Sequence, residues 1–191
     1  AVENLSRLFL SNNHIGALGM ETLSSALAGG AMWSVTYLIL GGNQIGDQGM
    51  LAFSEALATG AMASVTVLGL GDNQIGDTGM KAFAEALAGG ALVSCQQLFM
   101  DHNQFGDVAM QDFSTALVGG ALVSVTHLRL DQIHIQDAGI RALSSAIANG
   151  AMSSLCVIFI GAGPFGIGSG HPGLNVACNA RGIMIMGPLF P

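Results

Sequence analysis

The chain of 191 residues carries 5 basic and 12 acidic side chains, so its formal net charge is −7, and only 9% of its residues are charged. This balance does not favour nucleic acid, because phosphate backbones are bound by basic faces. The mean hydropathy is high at +0.58, yet Gly, Ser, Asp and Asn interrupt every apolar run before the eighteen or so residues of a membrane-spanning helix. We therefore expect no membrane span.

A thirty-residue unit recurs along the chain and is most regular in residues 38–67. The five copies cover residues 8–37, 38–67, 68–97, 98–127 and 128–157. Each copy opens with an apolar, variable, apolar triplet, whose period of two predicts a short strand with its first and third side chains buried. These triplets are residues 8–10, 38–40, 68–70, 98–100 and 128–130.

The rest of each unit predicts a turn and a helix. Three residues after the triplet, four copies have an asparagine, namely Asn13, Asn43, Asn73 and Asn103. An amide at this point can hydrogen-bond the backbone as the chain leaves the strand. Asp47 and its counterparts are predicted N-caps. Apolar residues at spacings of three and four, such as Met50, Phe53 and Leu57, predict one buried helical stripe, which a glycine such as Gly60 ends.

Units of this kind cannot bury their apolar sides alone, so we expect them to stack. The predicted fold class is α/β, a curved solenoid with parallel strands on the concave side and helices on the convex side. The pattern L-x-L-x-x-N-x-I-G-D followed by a helix resembles leucine-rich repeats of the ribonuclease-inhibitor type, also found in NOD-like receptors and in the Ran GTPase-activating protein. The resemblance covers roughly residues 1–160 and implies binding of other proteins. The regular Ala-rich and Gly-rich copies also resemble repeats common in unicellular algae.

The predicted domain organisation is a repeat region at residues 1–157 and a degenerate C-terminal capping repeat at residues 158–191. The chain starts inside a repeat without a visible polar cap, so we expect a fragment of a longer protein or a first coil that something else covers. In the last unit, Pro164 and the glycine cluster at 166–170 exclude a full-length helix. A short helix at 174–180 and a last strand at 183–186 are still predicted.

The cysteine count is odd, and the positions of Cys95, Cys156 and Cys178 predict free, buried thiols rather than a disulfide framework. No basic segment followed by an apolar core and a cleavage site precedes the first repeat. We therefore expect an intracellular, reducing compartment, either the cytoplasm or an organelle stroma.

The outward positions of the predicted sheet indicate a recognition face. Neighbouring strands lie about 4.8 Å apart, so equivalent side chains of successive copies line up. The early copies are apolar, with a dip at Gly69 and Gly71 between Ile39 and Phe99, and the later copies are polar. A surface whose character changes along its length is typical of partner contact. The predicted partner-binding residues are Phe9, Tyr37, Ile39, Gln97, Phe99, Asp101, His102, His127, Arg129 and Asp131.

The polar end of this face leaves a chemical alternative open. Imidazole and carboxylate groups on neighbouring strands can converge on a metal, and His127 could be drawn as a base oriented by Asp101. The spacing is only the repeat length, and no motif places a nucleophile. We therefore expect no catalytic residue, metal or cofactor, and keep a metal-dependent activity at His102, His127 and Asp131 as an alternative.

The predicted convex face has few charges and several apolar side chains that should meet water, which indicates packing against other subunits. The residues named for this face are Trp33, Leu51, Val93 and Val123, with Ala63, Ala84 and Val118 beside them. We expect a non-enzymatic scaffold or accessory subunit that binds other proteins, within a large complex, through its concave and convex faces. Peripheral association with a membrane complex is compatible with this surface. The alternative is the ligand-sensing repeat region of a regulatory receptor of the NOD-like type.

Overall fold

A computed structural model describes residues 5–161 and 171–187 of the chain. Within these residues, seven short strands alternate with six helices and form one parallel sheet whose strands follow chain order. The strands are β1 Arg7–Phe9, β2 Tyr37–Ile39, β3 Val67–Gly69, β4 Gln97–Phe99, β5 His127–Arg129, β6 Val157–Phe159 and β7 Met184–Met186. The helices are α1 Ala17–Ala28, α2 Gly46–Ala58, α3 Asp77–Ala88, α4 Asp107–Val118, α5 Asp137–Ala148 and α6 Pro172–Ala180.

The sheet register confirms the thirty-residue unit, because β1 to β6 pair each residue with the one thirty positions later. The result is the predicted curved solenoid, with the helices on the opposite side of the core from the sheet. The inward triplet positions Leu38 and Leu68 and the helical residues Met50, Phe53 and Leu57 are all at most 1% exposed. One continuous core therefore runs through all the units.

An asparagine ladder, made of Asn43, Asn73 and Asn103, fastens each turn to the turn before it. The Nδ2 group of Asn73 donates to the carbonyls of Leu70 in its own copy and Leu40 in the preceding copy, both at 3.0 Å. Its Oδ1 accepts from the backbone nitrogen of Asn43 at 3.2 Å. Because these backbone groups are shielded from water, the amide replaces hydrogen bonds that the solvent cannot supply.

The prediction that the aspartates cap their own helices is wrong. Each carboxylate caps the helix of the next copy instead. Asp47 Oδ1 accepts from the backbone nitrogens of Gly76 at 2.7 Å and Gly79 at 2.9 Å, at the start of α3. Within its own helix Asp47 lies in the first turn, where an acidic side chain also meets the positive end of the helix dipole. We call Asp47, Asp77 and Asp107 the aspartate ladder.

Each of the first five helices gives way to a turn that contains two left-handed residues. Gly60 has a φ of +87° and ends α2 as predicted, and Met62 follows with a φ of +65°. The equivalent left-handed Met or Leu recurs in every copy, at Met32, Met62, Leu92, Leu122 and Met152. A left-handed conformation is unfavourable for such side chains, but Leu92 and Met152 are at most 1% exposed, so burial of the side chain offsets the strain.

The last unit is shorter than the others, since Val157 of β6 pairs with Met184 of β7, only 27 residues later. The short helix α6 and the strand β7 confirm the two elements expected there, whereas the glycine cluster at 166–170 lies outside the described residues. Arg181 follows α6 and donates to the carbonyls of Ile147 at 3.0 Å and Met152 at 2.9 Å. This side chain satisfies carbonyl groups at the end of α5 and in the turn behind it.

Candidate partner-binding face

The sheet places seven of the predicted recognition residues in two rows, and the other three, Asp101, His102 and Asp131, follow the ends of β4 and β5. One row runs through Arg7, Tyr37, Val67, Gln97, His127 and Val157, and the other through Phe9, Ile39, Gly69, Phe99, Arg129 and Phe159. At the amino end, Phe9 is 62% exposed, and the guanidinium of Arg7 lies 4.7 Å from the centre of the Tyr37 ring, within cation–π range. The rows therefore begin with exposed aromatic surface.

The expected dip is present as a trough of about 370 Å³ on the middle strands. Its lining comprises Ser11, Asn12, Ile39, Gly41, Gly42, Gly69, Gly71, Asp72, Phe99, Asp101 and Arg129. The missing side chain of Gly69 creates the space, and the Ile39 side chain leans towards it, since a Cβ on Gly69 would lie 3.2 Å from Ile39 Cδ1. The apolar walls are Ile39 and Phe99, both half-buried.

The carboxyl-terminal end of the trough is charged. The Nε of Arg129 lies 3.0 Å from Oδ2 of Asp131 and 3.7 Å from Oδ1 of Asp101. On the other side of Asp101, its Oδ2 lies 3.1 Å from Nδ1 of the exposed His102. One guanidinium thus faces two carboxylates, and Asp101, the more distant of the two, is the one that remains partly open to the solvent.

Asp131 is not part of the exposed face, although the sequence places it there. Its side chain is 2% exposed, and its Oδ1 has no hydrogen-bond partner among the described residues. Burial raises the pKa of the Asp131 carboxyl above its ordinary value of 3.8, against the lowering effect of the hydrogen bond from Arg129. Asp131 therefore positions Arg129 from below the surface instead of contacting a partner.

The hypothetical pairing of His127 with Asp101 is wrong. Nδ1 of His127 lies 2.9 Å from the hydroxyl of Thr126, while Asp101 is bonded to His102 and faces Arg129. Within residues 5–161 and 171–187, no three His, Cys, Asp or Glu side chains are grouped in a way that could hold a metal ion. The alternative of a metal centre at His102, His127 and Asp131 has no support in the described geometry.

The sequence analysis missed two polar lining residues of the trough, Asn12 and Asp72. Both occupy the left-handed position directly after the outward residue that follows each strand, with φ values of +58° and +54°. The signal was available, because His102 holds the same position one copy later. The turn points this position towards the same edge of the trough as Gly71 and Asp101.

Comparison with known proteins agrees with this architecture. A family model described as Leucine Rich repeat matches residues 3–24, 34–54 and 61–84. Among solved structures, 40 chains match significantly. One is titled Leiomodin-1 Actin-Binding Site 2 (ABS2), with a TM-score of 0.63 and 16% identity over 83% of this chain and 84% of that one. The chain is a leucine-rich repeat protein.

A second solved structure is an internalin (inlF) from Listeria monocytogenes str. 4b F2365, at 19% identity over 81% of this chain and 47% of that one, with a TM-score of 0.30. The search of curated proteins found no significant match. Leucine-rich repeats fit a protein-interaction scaffold, and the leiomodin likeness supports the fold. In the parts of the chain with described structure, no helix has the length and apolar character needed to cross a membrane.

The apolar side chains predicted on the convex side of this leucine-rich repeat protein divide into two groups. Trp33, Val93 and Val123 are 66%, 56% and 46% exposed, but they lie in the turns after the helices instead of on the helices. Ala84 is 2% exposed, so the expectation that it faces water is wrong, whereas Leu51 is half-buried and faces water only in part. Each inner helix has a neighbour on both sides, and these positions lie between helices.

The turns that carry Trp33, Val93 and Val123 form what we call the uncharged rim. It comprises residues 29–36, 59–66, 89–96, 119–126 and 149–156, and none of these segments contains Asp, Glu, Lys, Arg or His. Other exposed apolar side chains that the sequence reading did not single out are Leu18, Val108, Val176 and Met184. The aspartate ladder lies at the opposite ends of the helices from the uncharged rim, and the exposed Leu18 and Val108 lie at that end as well.

The cysteines differ in exposure. Cys95 and Cys178 are buried as predicted, whereas Cys156 is exposed, which corrects the expectation of three buried thiols. Burial raises the pKa of the Cys95 thiol to about 12, so this group stays protonated at neutral pH. Cys156 occupies the position equivalent to Gln96 and Thr126, directly before a strand, and its side chain faces the solvent.

Proposed function

We propose that this leucine-rich repeat protein is a non-enzymatic interaction module that binds a protein partner through the concave sheet face. The trough between Ile39 and Phe99 carries this proposal, because a concave apolar site with a few convergent polar groups is the usual form of a binding site. Exposed aromatic surface at Phe9 extends the same face, and aromatic side chains are enriched where interfaces are energetically important.

Several details of the face favour binding over chemistry. The charged groups at its end, Asp101, Arg129 and Asp131, are paired with one another, and a catalytic site would need a nucleophile or base within reach of a reacting atom. The leiomodin structure is named as an actin-binding site of that protein. At 16% identity that likeness supports the use of this fold for protein contact, and actin is not proposed as the partner.

A second candidate interface is the uncharged rim, which favours a role as an accessory subunit within a larger assembly. Trp33 is 66% exposed beside a cavity of about 340 Å³ that the turns of the first two copies form. Exposed apolar surface of this kind is unfavourable in water and is usually covered in a complex. This proposal is compatible with the concave interface, since the concave face can bind a regulatory partner while the uncharged rim packs against other subunits.

The two interfaces can be separated by crosslinking in native cells with three forms of the protein. The concave variant combines Phe9→Ser and Phe99→Ser, and the rim variant combines Trp33→Ser and Val93→Ser. All four positions are at least partly exposed, so both variants should fold, which circular dichroism would check. Loss of the specific partner in the concave variant alone supports the concave interface. Loss of the partner in the rim variant alone would mean that the partner binds the uncharged rim. Unchanged crosslinks in both variants would refute the proposal.

A further inference from the structure

The trough has features that define the partner chemistry, and this step rests on the proposed concave interface. We infer that the trough binds a short extended segment of the partner in which a large apolar side chain is adjacent to a lysine or arginine. The apolar side chain would enter the gap above Gly69, and the cation would lie against Asp101 and Asp72.

The apolar half of the inference comes from the gap in an otherwise filled row. At the position of Gly69, the neighbouring copies carry Phe9, Ile39, Phe99 and Arg129. The third copy alone in this row, within the described residues, has no side chain, and it lies near the middle of the sheet. The volume of about 370 Å³ falls in the range of natural ligand sites, about 300 to 1,000 Å³. A flat aromatic or branched aliphatic group between Ile39 and Phe99 would replace the missing side chain.

The second glycine of the third copy determines where the charge lies. A Cβ on Gly71 would lie 3.0 Å from Asp101 Oδ1 and 3.2 Å from its Cγ. The Asp101 carboxylate therefore leans over Gly71 towards the gap instead of pointing away along the sheet. Because Gly71 has no side chain, this carboxylate can approach a ligand that lies on the floor of the trough.

The charge balance at this end favours a cationic group. Arg129 donates its Nε to Asp131 at 3.0 Å, while its distance to Asp101 is 3.7 Å. The guanidinium thus compensates mainly the charge of the buried Asp131, and Asp101 keeps the longer contact with Arg129 and a contact of 3.1 Å between its Oδ2 and Nδ1 of the exposed His102. Oδ1 of Asp101 remains the oxygen that faces the trough. Asp72 adds an exposed carboxylate on the same lining. An incoming carboxylate would meet two like charges, whereas a lysine or arginine would complete the pairing.

The test uses random linear peptides displayed on phage and selected on the purified chain, followed by affinity measurements on synthetic copies of the enriched peptides. The expected result is a motif with a large apolar residue next to a basic one. The key variant is Gly69→Phe, which gives the third copy the side chain found at positions 9 and 99 and fills the trough. Its Cβ would lie 3.2 Å from Ile39 Cδ1, so the Ile39 side chain must shift, and circular dichroism checks that the variant folds. Enriched peptides should bind this variant about tenfold more weakly or worse.

Two further variants separate the two halves of the motif. Asp101→Asn should select peptides that keep the apolar residue and lose the basic one. Ile39→Ala removes one wall and should weaken binding without affecting the preference for the cation, which keeps the inference testable if Gly69→Phe folds poorly. Absence of enriched peptides, equal binding to Gly69→Phe, or an enriched motif without a basic residue would each overturn the inference. The crosslinking of the native partner to the concave face is measured separately, so a folded partner held there with no such motif would refute only this inference.

Discussion

Oδ1 of Asp47 accepts a hydrogen bond at 2.9 Å from the backbone nitrogen of Gly79, which lies 32 residues further along the chain. The same oxygen accepts from Gly76, so one carboxylate closes the start of the following helix. The bond is possible because Gly79 has no side chain, since a Cβ there would lie 2.8 Å from this oxygen. Helix capping in this protein is therefore a contact between copies, and it contributes to stacking as well as to helix formation.

Asp47→Ala should lower the free energy of unfolding more than Asp77→Ala does. Asp47 accepts two backbone hydrogen bonds, but Asp77 accepts one, from Gly106 at 2.7 Å, because Ala109 stands where the other copies have glycine. Loss of a helix cap costs about 1 kcal/mol, and we expect Asp77→Ala to cost about half of the Asp47→Ala value. Urea denaturation of the two variants measures the difference. Equal effects would mean that the second hydrogen bond contributes nothing to stability.

Ala17→Asp should stabilise the start of α2 in the second copy. Position 17 of the first copy is equivalent to Asp47, but it carries no carboxylate that could cap the next helix. Without an acceptor at position 17, Gly46 turns to a φ of +59° and donates its N–H to the carbonyl of Asn73, whereas Gly76 keeps a φ of −97° and donates to Asp47. A carboxylate at position 17 should restore the usual geometry and raise the free energy of unfolding by about 1 kcal/mol.

A double-mutant cycle with Gly46→Ala provides the control for that variant. The left-handed Gly46 should tolerate alanine poorly in the wild type. In the Ala17→Asp background the same substitution should cost less, because the residue no longer needs a positive φ, as the extended Gln136 at the equivalent position illustrates. Additive effects in the cycle would mean that the carboxylate introduced at position 17 does not change the turn.

Asn73→Ala should be among the most damaging single substitutions of a polar residue. It removes hydrogen bonds to the carbonyls of Leu40 and Leu70 and to the backbone nitrogen of Asn43, and it leaves these groups shielded from water. We expect a loss of about 3 kcal/mol. Asn13→Ala is the matched control, since Asn13 is exposed and, among the described residues, its amide donates only to the carbonyl of Ser11. Comparable losses at both positions in thermal or urea unfolding would contradict the shielding argument.

The sequence was sufficient to predict strands, helices and stacking, because thirty-residue periodicity and buried stripes are local signals repeated five times. It assigned the Asp47 carboxylate to the wrong helix, since a local pattern cannot reveal that a side chain reaches the next copy. The rows of the concave face also followed from register. The burial of Asp131 did not, because it depends on how side chains of neighbouring coils pack around one position and not on the alternation of the strand.

The three thiols should react at very different rates. Cys156 is exposed, whereas Cys95 is 0% exposed and its pKa is raised to about 12 by burial. Since the thiolate is the reactive form, we expect Ellman's reagent to modify Cys156 rapidly in the folded protein and Cys95 only after unfolding in urea. Cys156→Ser should abolish the fast phase. A fast phase that survives this substitution would show that a buried thiol becomes accessible in the native state.

Asp131 should make the protein less stable as the pH rises from its ordinary pKa of 3.8 to its higher pKa in the folded state. In this interval the folded chain binds more protons at Asp131 than the unfolded chain does, so the stability contributed by this group is fully present below pH 3.8 and is lost as the pH passes the pKa of the folded state.

Asp131→Asn removes the titration and retains a carbonyl oxygen that can accept the hydrogen bond from Nε of Arg129. The stability of the wild type relative to this variant should therefore decline across the interval and level off above it, as urea denaturation at a series of pH values would measure. Asp72→Asn, an exposed change of the same kind on the same face, is the control. A wild-type advantage that grows with pH would mean that pairing with Arg129 outweighs burial at Asp131.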